Sequence, residues 1–361
     1  MRAGSSGQAS WTDGNGTLAQ FLQPITLEKD LSFVGANNGG TPVRISSNLQ
    51  TSAGCTGGVV VAYTGNAELL YDNILSPTHN GGTLVTNNAR LRWALPLTAD
   101  VTLTNSFGSG PLTLASGAST LFELQTSGTG RVVFANNVTV AGPNCYFYGD
   151  PMAAAITNLL TGAIYLAGRL GIGSRENVGV GPTVQNRYQG AIQLDQLQGG
   201  RREITYARGN GNGAGSWLDG NITDGSGPAR NSLLLWTTVN PLPITGAGST
   251  FAYGTVVEGD IAGLVEVQSL GSALGAGNLW LMEGGRIRLK SAANLNTSGG
   301  ATATLYGNQA ALSVLAVTNN FCPTFTSDSA GVLAVDISGY TAVASLASLG
   351  NQVFLGSILG G

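Results

Sequence analysis

Charge is what this chain has least of. Its 16 basic and 19 acidic residues make up 10% of 361 positions, against roughly 25% in ordinary soluble domains. Lysine occurs only at Lys29 and Lys290, and there are eight glutamates. Helix surfaces are usually dressed with Lys, Glu and Arg. Their scarcity excludes a helical bundle and a doubly wound α/β fold. The net charge of −3 and the lack of a basic stripe argue against a nucleic-acid partner.

Histidine is scarcer still. His79 is the single one, which excludes histidine-rich metal centres. It sits in the turn-like stretch Ser76-Pro-Thr-His79-Asn-Gly-Gly82 and is expected to be solvated there. A Gly-x-Ser-x-Gly nucleophile elbow is also missing. The three cysteines, Cys55, Cys145 and Cys322, are too scattered for a metal knuckle or a disulfide framework. They read as small buried apolar residues. No apolar run is long enough for a membrane-spanning helix, so membrane insertion by this chain is not expected. The opening residues, Met1 to Gly7, lack the apolar stretch of a secretion signal.

Glycine is abundant, with 55 residues, and 42% of the chain is hydrophobic. That is enough for a large core and the reverse of a disordered composition. The polar positions are filled by Thr, Ser and Asn, which favour strands and turns. Short alternating segments recur: Val101 to Thr104, Leu112 to Leu114, Ile164 to Leu166, Ile192 to Leu194 and Ile287 to Leu289. Alternation with period two puts one set of side chains inside and the other outside. Between these segments lie Gly, Asn, Ser and Asp, the residues of turns.

Two recurrences organise these segments. The first is glycine followed by an apolar residue at the second and fourth positions beyond it. It starts at Gly110, Gly130, Gly162, Gly190, Gly277, Gly285 and Gly331, and Gly110 to Gly117 parallels Gly277 to Gly284. The second is a pair of asparagines at 37–38, 87–88, 136–137 and 319–320. The first three pairs lie about two coils apart for a solenoid of roughly 25 residues per coil, within the range of solenoid repeats. Stacked asparagines would form ladders at the bends. The expected fold is therefore all-β: a parallel β-helix, or β-solenoid, in a single elongated domain spanning 1–361. A loop insertion is expected at 209–231, where glycine and asparagine crowd together.

Three stretches, Asn80 to Trp93, Gly108 to Leu121 and Gly128 to Gly142, resemble the autotransporter-associated β-strand repeat. The closing Leu349 to Gly361 is similar in style. The resemblance implies a passenger-type parallel β-helix of a bacterial surface or secreted protein, hence an extracellular or cell-surface location. No translocator barrel follows these stretches, so membrane insertion is not implied.

Few residues suggest chemistry. Glu258 and Asp260, like Glu28 and Asp30, are two apart and would share a strand face. Paired carboxylates are what glycoside hydrolysis needs, which makes Glu258 and Asp260 the candidate catalytic pair. Asp219, Asn221 and Asp224 open like a calcium loop, but Asp224 and Arg230 stand where that loop needs Gly and Glu. Arg90 with Arg92, and Arg286 with Arg288, place paired guanidiniums on a strand face, where they would meet anionic sugars or neighbouring carboxylates. The tryptophans at 11, 93, 217, 236 and 280 are core fillers or, in a row, a sugar-stacking surface. No cofactor is expected. The leading expectation is a non-catalytic structural protein: an adhesin stalk, sheath or filament subunit. Its partners would be other copies stacked end to end through uncapped coils, other surface proteins, or glycans. The uncharged tail Val353 to Gly361 motivates the stacking. A phage tail-spike or fibre module and a polysaccharide-acting β-helix enzyme are the alternatives.

Overall fold

The computed structural model describes residues 9–13, 19–36, 41–64, 68–72, 77–97, 100–103, 108–115, 120–128, 130–151, 156–174, 185–195, 200–208, 215–225, 231–237, 241–252, 254–259, 264–269, 273–275, 278–281, 286–289, 294–295, 302–305, 311–314, 320–321 and 324–327. Among them there is no helix, and every recorded strand pairing is parallel. The chain is a β-solenoid, as its composition predicts. The described residues fall in two compact units, Met1–Arg187 with Asn212–Gly215, and Tyr188–Gly211 with Ser216–Gly361.

In the first unit the chain visits three sheets in turn. The first sheet runs Ala9–Asp13, Leu31–Ala36, Val59–Thr64, Thr83–Val85, Leu112–Leu114, Val138–Val140, Ile164–Leu166. The second runs Gln20–Phe21, Val43–Ile45, Glu68–Asp72, Arg90–Leu97, Thr120–Gly128, Cys145–Pro151, Arg169–Ser174. The third begins at Val101–Leu103 and continues through Gly130–Phe134 and Ile156–Leu160. The second unit repeats the plan, for instance with Ile192–Leu194 beside Ile222–Asp224 and Asn231–Thr237 beside Gly254–Gly259.

Coil length is less regular than the asparagine spacing predicts. Glu68 pairs with Arg90, and Arg90 in turn with Leu121, so the second of these coils is much the longer. The strands keep register while the connections absorb the difference. Alternation then builds the core. Phe33, Val61, Val85, Leu114, Val140 and Leu166 stand in register on successive coils, all fully buried. In the second sheet Phe122 and Phe147 meet edge to face at 4.7 Å, and Phe134 of the third sheet meets Phe147 at 5.5 Å. Fully burying each such side chain is worth about 1.5–3 kcal/mol.

The corner between third and first sheets explains much of the glycine. Successive backbones stack closely there, through Leu112 N–H to Asn137 O at 2.9 Å and Val138 N–H to Ala163 O at 2.8 Å. A Cβ on Gly162 would strike the carbonyl oxygen of Asn136, and one on Gly220 that of Gly190. Of the predicted glycine starts, Gly110, Gly162 and Gly190 occupy this corner, Gly130 opens a third-sheet strand, and Gly277, Gly285 and Gly331 lie outside the described residues. The parallel between 110–117 and 277–284 is not a structural equivalence: Leu112–Leu114 belongs to the first sheet and Asn278–Leu281 to the second.

Two further expectations are corrected. The asparagine pairs at 87–88 and 136–137 do not occupy equivalent places and do not stack, and of the pair at 319–320 only Asn320 is described, in register with Asn294. Asn87 and Asn88 hold left-handed conformations, φ 57° and 64°, after a first-sheet strand, a shape asparagine tolerates. Asn136 and Asn137 instead precede one. The pair at 37–38 lies outside the described residues. Within the expected insertion at 209–231, Gly215–Leu218 and Ile222–Asp224 are regular strands. Residues 209–214 and 226–230 lie outside the described residues.

Candidate functional site

Opposite charges meet where the solenoid sets residues one coil apart side by side. In the second sheet of the first unit, alternation turns Leu69, Tyr71, Leu91 and Trp93 inward. Glu68, Leu70, Asp72, Arg90 and Arg92 are left on the other face. Glu68 Oε2 receives Arg90 Nε at 3.1 Å and Arg92 at 3.3 Å. Arg44 reaches Asp72 at 3.4 Å. Glu68 is only 8% exposed, so its charge depends on these guanidiniums. The predicted Arg90 and Arg92 are thus brought together, on a carboxylate that sequence reasoning missed. Its signal is an opposite charge placed one coil earlier in the chain. The exposed pair Arg131 and Asp100, at 3.5 Å, contributes little.

The same outer face continues into aromatic residues. In register, Arg90 faces Leu121, Leu121 faces Tyr146, and Tyr146 faces Gly171. One residue pair along, Arg92 faces Glu123, Glu123 faces Tyr148, and Tyr148 faces Gly173. The rings of Tyr146 and Tyr148 lie 5.4 Å apart at 45°. A Cβ on Gly171 would fall among the ring atoms of Tyr146, so this ring lies down over the glycine.

The other candidates serve the scaffold. Asp30 Oδ1 accepts Gly58 N–H at 2.7 Å. Asp219 Oδ1 accepts the Thr245 hydroxyl at 2.5 Å, Asn221 Oδ1 accepts Gly248 N–H at 2.9 Å, and Asp224 Oδ2 accepts Ala252 N–H at 3.1 Å. The three oxygens of this segment, which only opens like a calcium loop, therefore hold three different positions of the following coil. Among the described residues no group of three or more His, Cys, Asp or Glu side chains is placed to hold a metal ion. Glu258 is half-buried, opposite Trp236 in register. Its neighbours Thr255 and Val257 point inward, which puts Glu258 on the outer face. Its expected partner Asp260 lies outside the described residues. Arg288 stands between Glu266 and Ser313 in register.

His79 is a correction: it is 1% exposed, not solvated. Its Nε2 lies 3.4 Å from Thr83 Oγ1, and Gly108 stacks over it. Thr83 also bonds Tyr71, whose hydroxyl is pushed well above its ordinary range by burial, the Thr83 bond opposing.

Deeper in the first unit lies a polar core. Asn158 Nδ2 donates to Asn186 Oδ1 at 2.8 Å. Asn186 Nδ2 donates to Gly149 O at 2.9 Å and Gly173 O at 3.3 Å. Gly149 leaves the space these amides occupy.

Cys145 is buried, as its composition class predicts, and Cys55 is half-buried. Cys322 lies outside the described residues. Burial pushes the Cys145 thiol up to about 11 from 9.0, a backbone hydrogen bond from Gly142 opposing. The folded state therefore holds this proton more tightly than the unfolded chain. The stability it contributes is complete below pH 9 and is lost as pH rises toward 11. Native alkylation at pH 8 should label Cys55 and spare Cys145, and denaturant midpoints should fall between pH 9 and 11. Peptide mapping that finds Cys145 labelled as fast as Cys55 would contradict this burial.

Compared with protein-family models, with curated proteins and with solved structures, the chain returned no match in any of the three.

Proposed function

We propose that this chain is a non-catalytic structural element of an extracellular or cell surface, working as a stalk, sheath or filament subunit. The observation that carries this reading is where its polar side chains go. Asp30, Asn80, Asn137, Asp219, Asn221 and Asp224 each bind the backbone or a hydroxyl of an adjacent coil. The carboxylates of Asp30, Asp219 and Asp224 are in this way used to lock coil to coil. The resemblance of residues 80–142 to passenger-type repeats supports the same reading. Those stretches form strands and corners of the first unit, from Thr83–Val85 to Val138–Val140.

A solenoid's terminal strands template further strands, so self-association of copies is the partner this reading favours. Negative-stain microscopy with mass photometry over a concentration series tests it. Chains of particles that lengthen with concentration are the expected result. A monodisperse monomer at every concentration would reject the filament reading, and stable trimers would favour a phage fibre. Release of reducing ends from a polysaccharide panel would reject the non-catalytic assignment.

A further inference from the structure

We infer that Asn80 is a deamidation site gated by the fold: the Asn80-Gly81 pair is held inert while three coils are locked together at their corner, loses ammonia once that corner opens, and leaves a product that cannot rebuild the lock. This goes beyond the scaffold reading, since it sets how long the scaffold lasts and not what it carries.

Asparagine followed by glycine is the most labile arrangement for this reaction, because glycine puts no side chain in front of the attacking backbone nitrogen. The Gly81 nitrogen, its proton taken by hydroxide, forms a bond to Asn80 Cγ. The bond from Cγ to Nδ2 breaks, and Nδ2 leaves as ammonia with a proton from water. Water then opens the cyclic imide at either carbonyl, giving aspartate or isoaspartate. No oxidant or reductant takes part.

The sequence holds five such pairs, beginning at Asn15, Asn38, Asn80, Asn210 and Asn212, and Asn80 is the one among the described residues. It is exposed, so burial does not protect it. Hydrogen bonds do. The Gly81 N–H, the nucleophile, is donated to Gly57 O at 2.9 Å. Asn80 Oδ1 accepts Gly57 N–H at 3.1 Å, and Nδ2 donates to Cys55 O at 2.5 Å, so both ends of the amide are held by the preceding coil. Asn80 N–H donates to Thr51 Oγ1 at 2.9 Å, and from the following coil the Ser109 hydroxyl donates to Asn80 O at 2.5 Å. Bringing Asn80 Cγ onto the Gly81 nitrogen breaks the bonds of both groups.

The fold also explains why so labile a pair stands here. A Cβ on Gly81 would lie 2.6 Å from Gly57 O and from Gly58 N, so the corner requires glycine. Asparagine supplies the donor and the acceptor that the preceding coil uses. An ionised aspartate has acceptors only, and would set a carboxylate oxygen against Cys55 O where Nδ2 now donates. Isoaspartate adds a carbon to the main chain, which moves Gly81 off Gly57. Either product forfeits the lock.

The test follows Asn80 in the full chain at pH 8, in buffer and in concentrated urea, by peptide mapping with an isoaspartate assay. The rate in buffer is expected to be at least about a hundredfold below the rate in urea, because reaction waits on opening. Thr51→Val, which removes the acceptor of Asn80 N–H, should raise the rate in buffer about fivefold, the equivalent of one hydrogen bond, and leave the rate in urea unchanged. Asn80→Asp, the direct product made genetically, should melt about 5 °C below the parent. Should that variant fail to fold, the comparison of buffer with urea, made on the parent chain, still decides. Similar rates in buffer and in urea, a Thr51→Val rate in buffer equal to the parent's, or an Asn80→Asp melting point equal to the parent's would overturn the inference.

Discussion

Gly162→Ala is expected to destabilise the first unit by about 3 kcal/mol, a large share of the total stability of a typical domain. One methyl group has this effect because of what occupies its place. The added carbon would meet the carbonyl oxygen and carbon of Asn136 and the carbonyl oxygen of Ala135. All are backbone atoms, so no side chain can swing aside. The coil must instead move off its neighbour, straining the bond from Val138 N–H to Ala163 O, now 2.8 Å. Urea unfolding followed by circular dichroism measures the effect. Asn137→Ala provides the scale: it removes one side-chain acceptor of Ala163 N–H, 2.9 Å away, and should lose only about 1 kcal/mol. If the two variants lose equal stability, the backbones are not packed as closely as described.

Asn186→Ala should have a comparable effect, about 3–5 kcal/mol, by the opposite route. Here nothing collides. The fully buried amide disappears and leaves Asn158 Nδ2 without its acceptor, and the carbonyls of Gly149 and Gly173 without this donor. No water reaches that depth easily, so desolvation of these groups goes uncompensated. The two asparagines act as one unit, and a double-mutant cycle should show it. Asn158→Ala combined with Asn186→Ala should lose less than the sum of the single changes. Strict additivity would mean that the bond between the two amides contributes nothing.

Much of this architecture can be read from residues whose role is local. Leu112-Thr-Leu114, Ile164-Tyr-Leu166 and Ile192-Gln-Leu194 alternate because each strand has one inner and one outer side, and their burial follows suit. Ile222-Thr-Asp224 occupies the same place in its coil, but Asp224 stands where the others have leucine. The pattern breaks there, and the segment reads as part of an excursion. The asparagine pairs mislead because one residue type serves two physical ends. At 87–88 it supplies a left-handed bend, while at 136–137 it bonds neighbouring coils.

The candidate site is less legible, because its partners are set by coil length. Arg90 and Arg92 stand out as a pair, but Glu68 becomes their partner only once a short coil puts it beside them. The much longer coil that follows, from Arg90 to Leu121, defeats any fixed-period search. His79 escapes for a related reason. Its burial comes from Gly108, a coil later, closing over it, and no local pattern announces that. Nor does any local pattern announce that the Tyr146 ring lies over Gly171, a coil later.

The parallel ladders also fix how a unit would carry load. Their hydrogen bonds point from coil to coil, so a pull along the coil axis stretches them directly, and the outermost coil meets the force first. A coil such as that from Leu112 to Val138 occupies about 4.8 Å of axis when seated. Drawn out, it spans about 90 Å. Each coil is in effect a folded reserve of length, released one rung at a time while those beneath it stay closed. A shear across the axis, by contrast, is shared by three sheets and by corner side chains such as Asn137 and Asn221.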